Sequence, residues 1–447
     1  MRKKSKNYNP NSKGNKIMRI ITAKEFRKEL NFFLDRRKAD ISSIISVVNT
    51  VIDDVKKDGN RAILKYTEKF DKVHLDPSKI KVTENEIKEA YKKLDKNQIN
   101  ALKKAAKNIG NFHKKQLKRK WSMQSAEGVI LGQVTRPLAS VGVYAPGGKA
   151  SYPSSVLMCS VPAKVAGVET IVVCSPPGKD GNINASLLVA ADVSGVNEVY
   201  KVGGAQAIAA MTYGTETVKK VEKIVGPGNV YVTAAKLEVN KDVAIDVPAG
   251  PSEVLVIADE TANPSYIAAD LLAQAEHDLK ACAILITTSK MVATEVKNEI
   301  DSQIKSLTRI NIINSSLEKG GLIIIAQNLK EAIELTNIIA PEHLQIQTKK
   351  PTLVFNKIQN AGAVFLGPYS PVSFGDYSSG LNHVLPTAGY ARIYSGLSSL
   401  DFVKTMNFLQ CNKEGFKSLK ETAIILAEME GFDAHAKAVS IREEKEK

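Results

Sequence analysis

Gln274 and His277 stand three residues apart in the run LLAQAEHD. A helix over 264–277 would gather Ile267, Ala268, Leu271, Leu272 and Ala275 on one apolar face. Asp270, Gln274 and His277 then fall on a different face, so an amide oxygen and an imidazole nitrogen reach one point beyond the helix end. The plain alternative is a surface or core-satisfied pair that binds nothing. In APEHLQI, Pro341 disfavours helical geometry for the residue before it, which puts Glu342 and His343 on a loop at a helix end. A carboxylate beside an imidazole offers two bases of different pKa, as a reaction with more than one proton transfer needs. A polar loop pair without a role is the alternative there. The run SFGDYSSGLNHVLPT adds Asp376 and His383 on a loop shaped by Gly375 and Gly380. Glu414 and His435 follow near the C-terminus. Gln274, His277, Asp376 and His435 make a four-ligand zinc set without thiolates, the composition of a catalytic rather than a closed structural site.

These residues need elements to position them. The pattern over 18–120 is mostly helical, with helices over 41–55 (ended by Asp58-Gly59), 84–94 and 98–121. From Gly128 the period shortens to that of strands. Between 141 and 240, strands and helices alternate across tight glycine turns, the pattern of a parallel sheet with crossover helices. VGGAQA and GPGNVY each hold part of a nucleotide-binding glycine fingerprint, though no full G-x-G-x-x-G occurs. Glycines serving only as turns are the alternative. A second alternating block runs over 253–366, and the last fifty residues return to helix.

Composition narrows the class. The chain has 447 residues, too long for one ordinary core, with 43% hydrophobic and 24% charged residues, the balance of a soluble globular protein. Nothing approaches a membrane-spanning apolar run. The formal net charge is +15, but Arg2, Lys3, Lys4, Lys6, Lys13 and Lys16 crowd one end, which reads as a disordered basic tail over 1–17. A second basic cluster, Lys114, Lys115, Lys118, Arg119 and Lys120, reads as a solvated helix face; no nucleic-acid motif accompanies it. Cys159, Cys174, Cys282 and Cys411 are scattered, without metal or redox spacing and beside none of the polar motifs, which fits a reducing cytoplasm.

Several long strings are specific to one family. QVTRPLASVGVYAPGG, VGGAQAIAAMTYGTE, DVPAGPSEVLVIAD, DLLAQAEHD, PEHLQI and GDYSSGLNHVLPT, in this order, resemble the histidinol dehydrogenases. The resemblance implies an α/β fold of two Rossmann-like parallel-sheet units, like that of aldehyde dehydrogenases, with small helical N- and C-terminal pieces in an intertwined homodimer. The expected division places a helical part, 18–143, with 251–396 as the catalytic α/β domain. Residues 144–250 form the NAD-binding domain, and 397–447 reach the partner subunit.

The resemblance also assigns roles. It implies one zinc ion per subunit on Gln274, His277, Asp376 and His435, with Glu342 and His343 as the catalytic pair. Ser252, His383 and Glu414 match substrate contacts, together with the zinc ligands and His343. Tyr144, Gln206 and Asn229 match NAD-binding positions. Glu414 and His435 would enter the neighbour's site. Val372, Phe374 and Leu381 depart from the family pattern around Asp376. The implied reaction oxidises L-histidinol through L-histidinaldehyde to L-histidine with two NAD, the last step of histidine biosynthesis. Two rivals from other classes are a zinc hydrolase with Glu342 as its base, and a nucleic-acid-binding protein suggested by charge alone. Reduction of NAD with histidinol separates the first, and salt-dependent binding that survives removal of the tail would favour the second.

Overall fold

A computed structural model describes residues 18–37, 41–117, 120–147, 151–247 and 250–444. The expected basic tail, 1–17, lies outside the described residues, as do Lys118 and Arg119. Two parallel sheets organise the chain. The larger has six strands in the order Arg19–Thr22, Gly321–Ile325, Cys282–Thr287, Glu253–Ala258, His343–Gln347, Ala363–Leu366. Every neighbouring pair in it is parallel. Side chains alternate across its faces with the period of two that a strand imposes. Val254 and Val256 pack with Ile267, Leu271 and Val296 on one face. Leu255 and Ile257 pack with Phe26, Ile333 and Leu335 on the other. Burial on both faces is why these strands read as near-continuous apolar runs.

The smaller sheet orders Glu198–Lys201, Thr170–Ser175, Ser140–Tyr144, Lys223–Val225 and Ala244–Ile245, again all parallel. Helices Gly204–Tyr213 and Val230–Val239 cover one face, and Pro153–Ala166 and Ala185–Val193 the other.

The expected division of the chain differs from this packing. Ser140–Tyr144 is the middle strand of the smaller sheet, so a boundary at 144 would sever it. The N-terminal helices Ile45–Tyr66, Glu84–Lys93 and Lys96–Lys114 bury their apolar faces against this smaller unit. The strand Arg19–Thr22, missed in the sequence, and the helix Ala23–Arg36 join the larger one. That helix starts at a capping box, with Thr22 and Glu25 each holding the other's main-chain N–H.

The helical span Ile45–Tyr66 breaks at Gly59, as the Asp58-Gly59 pair leads one to expect, and a second helical stretch continues beyond it: the Gly59 φ is +50°, outside the helical region, and a Cβ there would meet the Glu216 carboxylate. Two further expectations are corrected. The helix expected to reach 121 stops at Lys114, because Lys120–Ala126 is a strand paired antiparallel with Val129–Pro137. The C-terminal segment is not wholly helical. Strand Val403–Cys411 completes this three-stranded antiparallel sheet, and helices Lys413–Met429 and Asp433–Glu444 follow. Leu419, Ile425, Leu426, Met429 and Phe432 leave an apolar surface exposed on this arm. Among the described residues no helix is long and apolar enough to cross a membrane.

Candidate functional site

One cavity of about 1210 Å³ lies between the two parallel-sheet units. The smaller sheet presents the C-terminal ends of its strands, where Tyr144, the Gly203 turn and the Gly226 turn sit, as open α/β sheets present ligand sites. The larger sheet presents the opposite edge. Ser252 and Cys282 sit where two of its strands begin, and His343 opens a third.

That edge carries the candidate acid–base pair, Glu342 and His343. Ala340 takes the left-handed conformation (φ +51°) and ends the helix Leu329–Ile339. Pro341 follows, and the chain enters the strand His343–Gln347 directly. The loop expected for Glu342 and His343 is therefore a strand entrance, and both side chains are buried. The main chain of Glu253 holds both: its N–H donates to Glu342 Oε2 at 2.7 Å, and its carbonyl oxygen lies 3.0 Å from His343 Nδ1. A carbonyl can only accept, so Nδ1 carries a proton, and Nε2 is the nitrogen that gains or loses one. Glu342 Oε2 is 3.6 Å from His343 Nδ1, and Asp376 Oδ1 is 3.6 Å from Nε2, beyond hydrogen-bond range. Nε2 has no hydrogen-bond partner among the described residues. Burial pushes the Glu342 carboxyl above the usual carboxylate range. Burial opposes charge on His343, but the Glu342 and Asp376 carboxylates outweigh it and hold its pKa up.

Gln274 and His277 come from the end of helix Pro264–Ala275, with the His277 N–H bonded to the Gln274 carbonyl at 3.2 Å. Both line the cavity, and Gln274 Nε2 is buried without a partner among the described residues. Asp270, on the same helix, turns elsewhere. Burial raises its pKa to about 6, opposed by hydrogen bonds from Gln345 and the Val372 main chain. Asp376 sits on a short helix, Val372–Tyr377, not on the expected loop. The pull of His343 on its carboxylate outweighs burial and lowers its pKa. His383 Nδ1 lies 3.1 Å from the Asp376 carbonyl oxygen, and its Nε2 lies 3.3 Å from Ser155 Oγ. Of the departing residues, Val372 is buried while Phe374 is exposed.

Across the cavity, the Tyr144 hydroxyl accepts the Gly204 N–H at 3.1 Å, and burial pushes its pKa up to about 12. Gln206 is fully buried in the first turn of its helix, and neither polar atom of its amide has a partner among the described residues. Asn229 caps the next helix with its Oδ1, which accepts from Tyr231 and Val232. That leaves its amide nitrogen as donor. Gly226 (φ +114°) must be glycine, since a Cβ would fall 2.2 Å from the main-chain carbonyl oxygen of Tyr144.

Ser252, Gln274, His277, Glu342, His343, Asp376 and His383 thus share one cavity with Tyr144, Gln206 and Asn229. Glu414 and His435 do not reach it. Glu414 lies exposed in the first turn of its helix, and the His435 ring packs on Phe432 with centroids 5.3 Å apart. Among the described residues no three His, Cys, Asp or Glu side chains gather as a metal cluster. The donors on the wall still suit zinc: one amide oxygen, one imidazole and one carboxylate, from Gln274, His277 and Asp376. Sequence reasoning missed Arg37, Asp71, Asp246 and Glu253, and it placed no cysteine here. Cys282 in fact lines the cavity. Its register partner is Glu253, a pairing no local pattern announces.

Two apposed parallel-sheet units, with paired nucleotide-type turns facing a buried imidazole–carboxylate pair, define a two-unit α/β enzyme of the dehydrogenase kind. The family model for histidinol dehydrogenase matches residues 34–443, and the chain belongs to that family. It is 48% identical over 418 residues to the histidinol dehydrogenase of Methanothermobacter thermautotrophicus, covering 94% of this chain and 97% of the relative. It is 52% identical over 428 residues to that of Caldanaerobacter subterraneus subsp. tengcongensis, covering 95% and 99%. The crystal structure of histidinol dehydrogenase from Elizabethkingia anophelis matches with a TM-score of 0.90 at 41% identity, covering 96% of this chain and 98% of that one. Membership makes this protein an oxidoreductase of histidine biosynthesis.

Proposed function

We propose that this protein carries out the zinc-dependent, NAD-linked oxidation of L-histidinol through L-histidinaldehyde to L-histidine, as a cytoplasmic homodimer with shared sites. The observation that carries this reading is His343 Nε2, a buried ring nitrogen with no hydrogen-bond partner among the described residues, in the same cavity as Gln274, His277, Asp376 and the three candidate nucleotide residues.

Gln274, His277 and Asp376 would hold zinc together with His435 of the partner subunit. Zinc, when bound, supplies Lewis-acid attraction for the imidazole and amine of the substrate. Tyr144, Gln206 and Asn229 would hold NAD, which when bound is the hydride acceptor. His343 takes the alcohol proton on Nε2 as hydride leaves the carbon. The resulting imidazolium is stabilised by the Glu253 carbonyl on Nδ1 and by the flanking carboxylates. Glu342 then takes a proton from water as it adds to the aldehyde, and the His343 imidazolium gives its Nε2 proton to the former carbonyl oxygen, which leaves the hydrated aldehyde and a neutral His343. His343 takes a proton again as the hydrated aldehyde loses its hydride and becomes the acid. Ser252 and His383, with Glu414 of the partner subunit, orient the substrate.

The exposed apolar face of the C-terminal arm supports the shared arrangement, because an exposed apolar patch on a soluble protein usually marks an interface. The test follows NADH formation from L-histidinol before chelation, after chelation and after zinc is restored. Turnover that needs zinc supports the reading, and absence of turnover in the zinc-loaded protein refutes it.

A further inference from the structure

The main-chain atoms that hold Glu342 and His343 belong to one residue, Glu253. Its side chain is not idle. The carboxylate, buried at the start of its strand, accepts Arg37 Nε at 2.8 Å, and a second guanidinium nitrogen of Arg37 closes a fork on the other oxygen. The Ala388 N–H adds a third bond at 2.8 Å. Arg37 also donates from Nη1 to the Ile339 carbonyl at 2.9 Å, at the end of the helix that delivers Glu342 and His343. Three segments far apart in sequence therefore meet on one buried ion pair: the strand entrance at Glu253, the helix end at Ile339, and the stretch through Ala388 that follows His383.

The geometry points to Arg37 and Glu253 as a positioning pair for the proposed reaction, setting the distance between the peptide of Glu253 and the two catalytic side chains. This inference rests on the reading of Glu342 and His343 as the acid–base pair. Neither Arg37 nor the Glu253 carboxylate bonds to a catalytic side chain; both act through the Glu253 peptide and the Ile339 carbonyl. Arginine suits this place because its planar fork fixes angles that a single ammonium cannot. Charge compensation alone would not require the Ile339 bond. A buried ion pair is commonly replaceable without loss of stability, so its use here is geometric rather than cohesive.

Three variants of the zinc-loaded full chain test this: Arg37→Lys, which keeps the charge pair but loses the fork; Glu253→Gln; and the neutral double variant Arg37→Met with Glu253→Gln. Thermal unfolding, zinc content, kcat, and KM for NAD are measured for each. Misplacement of catalytic groups by about an ångström costs on the order of a hundredfold in rate, so the double variant should fold with normal zinc and lose about that much kcat. Arg37→Lys should fold and lose roughly tenfold, since half of the fork geometry goes. KM for NAD should stay within about twofold, because Tyr144, Gln206 and Asn229 lie on the other unit. Wild-type kcat in Arg37→Lys, or in a folded double variant, overturns the inference; so does a loss of kcat that only tracks a loss of folded protein. An unmutated chain that fails to reduce NAD with histidinol sinks the underlying reading instead, whatever the variants do.

Discussion

Asp376 Oδ1 stands 3.6 Å from His343 Nε2, so the carboxylate of one candidate zinc ligand faces the titrating nitrogen of the candidate base. His277 shares the same electrostatic field, since the Asp376 carboxylate acts on both imidazoles. Removing either ligand should release the metal without unfolding the chain. His277→Asn and Asp376→Ala are expected to fall well below one zinc per subunit by elemental analysis, with an unfolding transition near that of the parent. Stoichiometric zinc in either purified variant would show that the metal is held elsewhere.

The cysteines should be dispensable for chemistry. Cys159 and Cys174 are wholly buried, and burial pushes both thiols well above their ordinary range. Cys411 lies on the distant antiparallel sheet. Cys282 is the critical case, because it lines the cavity. Its Sγ is 3.9 Å from the Lys280 carbonyl oxygen. Cys282→Ser should keep kcat within about threefold, since the proposed steps use no sulfur nucleophile. A folded, zinc-loaded Cys282→Ser protein without turnover would restore a thiohemiacetal route.

Much of the wall was legible because its signal is local. Gln274 and His277 are one helical turn apart, and the glycine turns after Lys201 and Val225 follow apolar strands. The strand His343–Gln347 was not legible, because Gln345 and Gln347 are buried and gave HLQIQ the polarity of a loop. The role of Glu253 was invisible for a different reason. Its partner Glu342 lies 89 residues away, and only the parallel register of the strands brings them together. The same holds for the N-terminal helices, whose amphipathic pattern shows that they pack but not against which sheet.

Asp71 gives the protein a pH-dependent element away from the metal wall. Burial pushes its carboxyl up to about 6, and its Oδ2 has no hydrogen-bond partner among the described residues. Between the usual aspartate value of about 3.9 and that raised value, the folded state binds more protons than the unfolded state. Stability from this group therefore falls as pH rises through the window. Asp71→Asn should match the parent at about pH 4 and exceed it above about pH 6.5. Because the residue is partly open to solvent, screening reduces the gain to about 1 kcal/mol. Chemical unfolding of both proteins at about pH 4.5 and about pH 7.5 measures it, and a difference that does not change with pH contradicts the assignment.

Sharing of sites between subunits predicts complementation. His343→Asn and His435→Asn should each be inactive alone. Mixed dimers of the two hold one site with both residues intact, so an equal mixture that has exchanged subunits should recover about a quarter of wild-type activity. No recovery after verified exchange would place His435 outside the partner's site.

Glu342 and His343 should divide the two oxidations unequally. Each hydride transfer leaves an oxygen that must shed a proton, and His343 Nε2, without a hydrogen-bond partner among the described residues, is the nitrogen placed to accept it. Glu342 has one oxygen tied to the Glu253 N–H and, with burial raising its affinity for protons, is suited to water addition. Only the aldehyde step needs that addition. His343→Asn should therefore impair both steps, by on the order of a hundred- to ten-thousandfold for loss of a general base. Glu342→Gln keeps the bond to Glu253 and should slow aldehyde oxidation by a comparable factor while affecting alcohol oxidation far less. Supplying histidinol and histidinaldehyde separately to each variant, and following NADH, resolves the two steps. Equal losses on both substrates in Glu342→Gln would leave that carboxylate only the task of stabilising the His343 imidazolium from 3.6 Å away.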